Sequence, residues 1–424
     1  MAWRLSSRVV DATESALLRL LAFSQPADGV LSQFFRERKD LGMRERAVVA
    51  ETAYTVLRRR RTLAAWCRAA GDGEPPARHL VLAALVRFAG QGQRQLAEIL
   101  PAAEGEWLSR LKAAHESPSG LADQADMPDW LVERLSGVMT APEVLALARG
   151  LNQPAPLDLR VNPLKTDRPS VLARLAEDGI EAVACPLAPL GIRLATKPAL
   201  ARHPLYLEGL VEVQDEGSQL LGHLVAPRRG EMVVDFCAGA GGKTLLLGAL
   251  MRSTGRLYAF DVADRRLAKL RPRVARAGLS NVHPVCISGE NDARVKRLAG
   301  KVDRVLVDAP CSGLGTLRRN PDLKWRQTPE SVAELARKQS DILAGAARLP
   351  KAGGRLVYAT CSLLPEENSA IVDAFLAAHP DYHRVSAAEI LAAQGIAARC
   401  GDDLVLLPHV HGTDGFFAAV LERT

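Results

Sequence analysis

From about residue 211 onward, short apolar runs alternate with longer stretches of helical periodicity. This alternation restricts that part of the chain to a doubly wound α/β sheet. Met232 to Phe236, Arg256 to Asp261, Val302 to Asp308 and Arg355 to Thr360 read as strands. Glu216 to Leu224, Lys243 to Met251, Ala263 to Ala277 and a stretch from Pro365 through His379 read as helices, the last with proline in its first turn, where the missing N–H does no harm. Leu404–Leu407 and Phe416–Leu421 add two strands at the tail.

The 424 residues leave room for two or three cores. Residues 1–147 lack β-branched alternation and read as an all-α domain: Val9, Thr13, Ala16, Leu17 and Leu20 share one helix face, and a second helix runs from Arg44-Glu45-Arg46 to the cluster Arg58-Arg59-Arg60-Arg61. That cluster suits a helix C-terminus and could also meet phosphate. A linker-like Asn152-Gln153-Pro154-Ala155-Pro156 precedes a small α+β piece, residues 155–210, with a strand at Leu157–Val161, a helix from about Pro169 to Glu177, and strands near Ala182–Ala184 and Ile192–Ala195. Its only aromatic is Tyr206, so an RNA contact there must be ionic or backbone-directed rather than stacked.

No apolar run reaches membrane-spanning length, and Arg4 and Arg8 are followed by Asp11 and Glu14 rather than an apolar signal core. The seven cysteines include no CxxC pair, which argues against zinc, a disulfide framework or any other metal role and for a reducing, cytoplasmic setting. The net charge is +7, yet residues 250–360 hold 22 Lys+Arg against 10 Asp+Glu, so the basic excess is concentrated there. That concentration favours a polyanionic substrate beside the chemistry. No exposed apolar seam is evident, and a monomer is expected.

Asp235-Phe236-Cys237-Ala238-Gly239-Ala240-Gly241-Gly242-Lys243-Thr244 joins a strand to a helix through a glycine-rich turn, and Asp261 ends the next strand 22 residues after Gly239. Glycines admit a ligand close to the backbone, and an acid at that distance can accept from ribose hydroxyls. A P-loop would need glycine at position 237, where Cys237 stands, and a dinucleotide fingerprint would need it at 244, where Thr244 stands. The pattern therefore favours an adenosine-containing donor without a pyrophosphate, S-adenosylmethionine.

Asp308-Ala309-Pro310-Cys311-Ser312-Gly313 and Ala359-Thr360-Cys361-Ser362 each follow an apolar strand, which puts two cysteines fifty residues apart over one crevice. Thiolate addition at carbon-6 of a cytosine makes carbon-5 nucleophilic toward a sulfonium methyl, and a base must then remove the carbon-5 proton. Two cysteines, an acid and a methyl-donor pocket form a coherent set for that reaction. Cys67, Cys185, Cys286 and Cys400 are expected to be ordinary apolar packing residues.

The motif Asp308 to Thr316 with Arg319-Asn320-Pro321-Asp322 and Lys324-Trp325 resembles the fourth motif of the RsmB-type (Sun family) RNA cytosine carbon-5 methyltransferases. Tyr358 to Ser362 with Glu366-Glu367-Asn368 resembles their sixth, Phe236 to Thr244 their first, and Gln214 to Gln219 and Gly412 to Phe417 are also family-like. The resemblance covers residues 155–424 and, more faintly through Arg46 to Arg61, the N-terminal part. It implies a NusB-like helical RNA-binding domain (1–147), an RRM-like subdomain (155–210) and a Rossmann-like class I methyltransferase domain (211–424).

Carried over residue by residue, Cys361 is the nucleophile, Cys311 the cysteine of product release, Asp308 the contact to the base, and Lys243 a member of the same group. The donor would lie against Cys237, Ala238, Gly239, Ala240, Gly241, Gly242, Lys243, Asp261 and Asp308, with Asp292, or else Glu290, on its adenine side. The family's first motif is usually Cys-Ala-Ala-Pro-Gly-Gly-Lys. Here Gly239-Ala240 replaces Ala-Pro, which loosens the turn but keeps its glycines. Arg318, Arg319, Lys324 and Arg326 are expected to hold the RNA backbone, with Trp325 packing or stacking nearby. The implied activity is methylation of a cytosine in 16S ribosomal RNA. Transfer RNA is an alternative substrate, and a non-catalytic RNA-binding assembly factor is an alternative role, which the presence of both cysteines, Asp308 and Lys243 opposes. An adenine amino-methyltransferase would need an Asp/Asn-Pro-Pro-aromatic loop, which Asp308-Ala309-Pro310-Cys311 is not.

Overall fold

Apolar side chains spaced three to four apart build ten helices before Pro154 among the described residues, the first Ser7–Leu21 and the last Ala141–Leu151. The structure is a computed structural model and describes residues 5–71, 73–115 and 120–424; Arg4 lies outside them. The chain divides into two units: residues up to Gln153 together with Thr316–Thr328, and Pro154–Gly315 together with Pro329–Thr424. No helix among the described residues is long and apolar enough to cross a membrane.

The helical unit packs Leu17, Val56, Leu63, Leu82, Leu85 and Trp107 into one core, and Val9, Leu20, Phe34, Val49 and Leu57 into a second. The arginine cluster is largely used inside this unit. Arg59 pairs with Asp126 at 3.6 Å, and Arg61 with Asp123 at 2.6 Å and Asp129 at 3.0 Å. The cation of Arg60 sits over the rings of Phe23 and Trp325.

The segment Thr316–Thr328 changes the reading of the basic residues after Cys311. Lys324 was expected on RNA. It is 1% exposed, and its ammonium donates to Arg58 O at 2.8 Å and Asn152 Oδ1 at 3.1 Å. Trp325 packs against the second helical core, and its indole N–H donates to Leu57 O at 2.7 Å. Arg326 pairs with Asp322 at 3.3 Å, and Asp322 also accepts the Ala27 N–H. Arg318 is buried, and its carbonyl accepts from Arg58, while Arg319 is half-buried. This basic run is therefore part of the helical unit. The cations of Lys324 and Arg326 are spent on a protein carbonyl, an amide oxygen and a carboxylate, which a sequence count of charge does not register.

Burial pulls the Lys324 ammonium down to about 7, with Asp126 opposing and Arg59 and Arg58 assisting. Its folded value lies below that of the unfolded chain, so the unfolded state binds the extra proton and this group makes the fold more stable as pH rises from about 7 to about 10.4. The expected gain between pH ~7 and ~9.5 is about 1–3 kcal/mol. Lys324→Met should lose that rise in denaturant unfolding. Identical pH dependence in variant and parent would refute it.

In the second unit, β1 (Leu157–Val161), β2 (Ala182–Ala184), β3 (Gly191–Leu194) and β4 (Val211–Val213) form a four-stranded sheet in the order β2-β3-β1-β4, all pairs antiparallel. With the helix Arg168–Glu177 after β1 and short helical turns before β4, this is a ferredoxin-like βαββαβ arrangement. Tyr206 is covered by the Arg276 guanidinium at 4.0 Å, so its ring is already stacked. Asp158, Cys185 and Glu216 bring ligand atoms within 4.8 Å of one another. Arg193, however, pairs with both carboxylates, and the Leu187 and Ala188 N–H groups donate to Glu216.

The remaining strands are β5 (Met232–Asp235), β6 (Arg256–Asp261), β7 (Val282–Cys286), β8 (Val302–Asp308), β9 (Pro350–Thr360), β10 (Tyr382–Val385), β11 (Leu404–Leu406) and β12 (Phe416–Arg423). They form an eight-stranded sheet in the order β10-β12-β9-β8-β5-β6-β7, with β11 beside β12. The run from β9 through β7 is parallel, and the tail strands join antiparallel. Pro284 is tolerated in β7 because that strand is an edge.

The helix expected from Pro365 to His379 is instead a 3₁₀ turn, Pro365–Glu367, and a helix, Ser369–Ala378. They part at Asn368, whose side chain accepts from the Thr360 hydroxyl at 2.5 Å and donates to Ser362 O at 3.2 Å. Cys67 and Cys185 are buried as expected, while Cys286 and Cys400 are only half-buried.

Candidate active site

Strands β8 and β9 are neighbours and parallel, with Asp308 opposite Ala359, and the register continues into the Ala309 N–H donating to Ala359 O at 2.8 Å. Loops leaving the same end of adjacent parallel strands must meet. Cys311 lies three residues past the end of β8 and Cys361 one past the end of β9, and their sulfurs are 3.4 Å apart. Gly315 closes the arrangement. Its N–H donates to Cys361 O and its carbonyl accepts from Gly415 N–H, both at 2.8 Å, and a side chain on Gly315 would collide with those backbones. The Cys311 loop, the Cys361 loop and the Gly412–Phe417 segment thus converge, and Asp215 joins them by accepting the Asp414 N–H at 3.2 Å.

The glycine-rich turn follows β5 at the same sheet edge. Gly239 and Gly241 both take left-handed backbone, φ +57 and +86. A Cβ on Gly241 would run into Leu270, whereas beside Gly239 there is open space. This turn aims the helix Gly242–Leu250 so that the Lys243 ammonium meets Asp308 Oδ2 at 2.6 Å, with the Phe416 ring 6.0 Å away. Burial pulls the Lys243 ammonium down, but the charge and hydrogen bond of Asp308, with Cys361 and Asp235, lift it above its ordinary value. The Cys311 thiol is pushed well up, first by its contact with Cys361, then by burial and by the charges of Cys361 and Glu367. Burial also pushes the Cys237 thiol up, and its half-buried side chain packs against the core.

Asp235 carries the turn from below. Its Oδ2 accepts from the Thr244 hydroxyl at 2.6 Å, and its buried Oδ1 has no partner among the described residues. Burial raises its carboxyl to about 7, against the Thr244 bond and helped by Asp308. Asp261 ends β6, and its two oxygens accept the Gly239 N–H at 2.8 Å and the Ala263 N–H at 2.7 Å. Each oxygen keeps a further lone pair for a ligand hydroxyl.

Asp292 is engaged close to its own place in the chain. Its carboxylate caps the short helix Ala293–Lys296 and takes three donors on Oδ2 and two on Oδ1, from Ser288 and Arg294. The Glu290 carboxylate accepts from Asn291 at 2.7 Å, its carbonyl accepts from Arg348 at 3.0 Å, and the residue is half-buried.

Two contributors were not singled out from the sequence. Arg160, buried in β1, donates to Gly242 O at 2.7 Å and so ties the ferredoxin-like sheet to the glycine turn. Glu367 is fully buried and accepts from both serines that follow the cysteines. The repeated Cys-Ser at 311–312 and 361–362, with acids shortly after the second, is the signal that points to it.

A family model described as 16S rRNA methyltransferase RsmB/F matches residues 222–422, and one described as the RsmF/B-like ferredoxin-like domain matches residues 127–201. The "Probable ribosomal RNA small subunit methyltransferase B" of Synechocystis sp. is 41% identical over 305 residues, 72% of this chain and 68% of that protein. A protein of the same name from Bacillus subtilis is 32% identical over 332 residues, 77% of this chain and 72% of that one. A crystal structure of a methyltransferase homolog protein from Pyrococcus horikoshii covers 73% of this chain and all 100% of its own, with a TM-score of 0.62 at 29% identity.

Proposed function

Since the chain belongs to the 16S rRNA methyltransferase RsmB/F family, we propose that it methylates carbon-5 of a cytosine in small-subunit ribosomal RNA, with S-adenosylmethionine as donor and a transient Cys361–cytosine bond. The observation that carries this reading is the thiol pair 3.4 Å apart at the strand ends that also hold Lys243 and Asp308. An amino-methyltransferase has no use for two thiols at that distance.

The donor pocket fits the residues present. The open space at Gly239, the spare lone pairs of Asp261 and the singly engaged Glu290 carboxylate suit a ribose and an adenine. When bound, S-adenosylmethionine supplies the electrophilic methyl that carbon-5 takes once carbon-6 carries Cys361.

Cys361 adds as thiolate, forming the C6–S bond and moving the C5–C6 π pair onto carbon-5. Asp308, held by the Lys243 ammonium, would meet the ring nitrogen-3 edge and pass to it from that ammonium the proton that the anionic ring demands. Cys311 is kept protonated while its neighbour is a thiolate. Once the Cys361 sulfur is bonded to carbon its part of that opposition is gone, so Cys311 can give its proton to solvent water and, as thiolate, take the carbon-5 proton. The C6–S pair then returns to sulfur and the double bond re-forms.

The test is to supply methyl-labelled donor with small-subunit ribosomal RNA and, separately, transfer RNA, and to digest each to nucleosides. Label should appear as 5-methylcytosine in the ribosomal RNA. Label in a methylated adenine would overturn the chemistry, and label confined to transfer RNA the substrate. Asp261→Ala should weaken S-adenosylhomocysteine binding in calorimetry by roughly 10–100-fold, the worth of a charged hydrogen bond or two. Unchanged affinity would remove Asp261 from the donor site.

A further inference from the structure

The parallel ladder fixes the backbone only as far as Asp308 and Ala359. Cys311 lies beyond that point, in a loop that turns through Pro310 and a left-handed Gly313 (φ +73). Besides the Gly315 N–H on Cys361 O, a buried side chain holds that loop against its neighbour. Glu367, 0% exposed, accepts on Oε1 from Ser312 N–H at 2.8 Å and on Oε2 from the Ser312 hydroxyl at 2.5 Å. From the other loop the Ser362 hydroxyl donates to Oε2, and the two serine hydroxyls lie 3.2 Å apart.

Gln339, on the helix Pro329–Ala346, donates to Glu367 Oε1 at 3.0 Å and to Pro310 O at 2.9 Å. The Tyr358 hydroxyl donates to Glu367 O at 2.7 Å. The four donors on the carboxylate match the acceptor capacity of an ionised carboxylate. A buried acid so fully engaged does not exchange partners cheaply.

We propose that Glu367 is the positioning residue of both thiols: through Ser312 and Ser362 it staples the Cys311 loop to the Cys361 loop, so that the two sulfurs address one base. The proposal rests on the thiol chemistry proposed above and adds to it the element that sets the spacing of the sulfurs. Each serine is the next residue after its cysteine, so a shift at either hydroxyl is passed to the sulfur through one residue of backbone. The same negative charge, behind the Cys361 contact and burial, helps keep Cys311 protonated. Glu367 touches neither base nor donor in this scheme. Its loss should therefore act on turnover rather than on binding.

The test uses the full chain. Glu367→Gln keeps the shape but offers an amide where two hydroxyls need an acceptor. Turnover should fall by about a hundredfold, the usual effect of a misplacement near 1 Å, with KM for RNA and affinity for S-adenosylhomocysteine near the parent values. Labelling with an aromatic disulfide across pH should show Cys311 reacting at lower pH than in the parent, and Glu367→Asp should recover part of the rate. The double variant Ser312→Ala/Ser362→Ala removes the hydroxyl donors and should reproduce the turnover loss in part; it decides the matter on the same readouts if Glu367→Gln does not fold. Parent turnover and an unmoved Cys311 profile in Glu367→Gln, with Cys361→Ala inactive, would overturn the positioning role and leave the thiol chemistry standing. A loss of turnover matched by loss of donor-product affinity, with the thiol profile unmoved, would overturn it as well, because that is general destabilisation. Activity in Cys361→Ala would instead strike at the underlying reading.

Discussion

Cys361→Ala is expected to lose methyl transfer by a factor on the order of 10⁴ or more, the scale of removing a covalent nucleophile. Cys311→Ala is expected to form the protein–RNA bond and fail to release it. On a denaturing gel with labelled RNA and donor present, the Cys311→Ala protein should accumulate a slow-migrating adduct, and the Cys361→Ala protein none. The spatial arrangement alone is nearly symmetric, since both sulfurs belong to loops at one sheet edge and touch each other. What distinguishes them is the motif each stands in: Cys361 in Tyr358–Ser362, which resembles the family's sixth motif, and Cys311 in Asp308–Thr316, which resembles its fourth. An adduct in Cys361→Ala would reverse the two roles, and full activity in both variants would remove covalent catalysis altogether.

The periodicity of the sequence carries the sheet and most of its helices because these elements are decided locally, by apolar spacing and by glycine or proline at their ends. The site followed from the sheet: Asp308, Cys311 and Cys361 come to one place because two parallel neighbours end at the same edge. Misreadings arose where a long-range partner decides the outcome. Lys324 has the composition of a phosphate-binding residue, but Asn152 and the Arg58 carbonyl, more than 170 residues away in sequence, take its ammonium. The Pro365 helix broke because Thr360 and Ser362 claim the Asn368 side chain. Glu367 was visible only as one letter of a motif, since its role exists only once both cysteine loops are adjacent.

The second large effect should come from the Lys243–Asp308 pair. The two side chains are 12% and 31% exposed and lie 2.6 Å apart, so solvent screens the pair only in part. Asp308→Asn should lower turnover by roughly 10²–10⁴-fold, the range for a general acid–base group, while S-adenosylhomocysteine still binds. It should also destabilise the fold by about 1–3 kcal/mol, below the value for fully buried pairs because of the partial exposure. Lys243 is raised in the folded state, so its contribution to stability is complete below the unfolded-chain value of about 10.4 and is lost only as pH climbs through the higher folded value. Near neutral pH the pair is therefore at full strength, and the destabilisation of Asp308→Asn should shrink only in strongly alkaline buffer. Lys243→Met leaves Asp308 without its cation and should depress turnover to a similar level. The double variant Lys243→Met/Asp308→Asn should be hardly slower than either single one, because the two groups act as a unit. Multiplicative losses in that cycle would mean that Lys243 and Asp308 serve separate steps, and that the hydrogen bond between them is packing rather than part of the proton path.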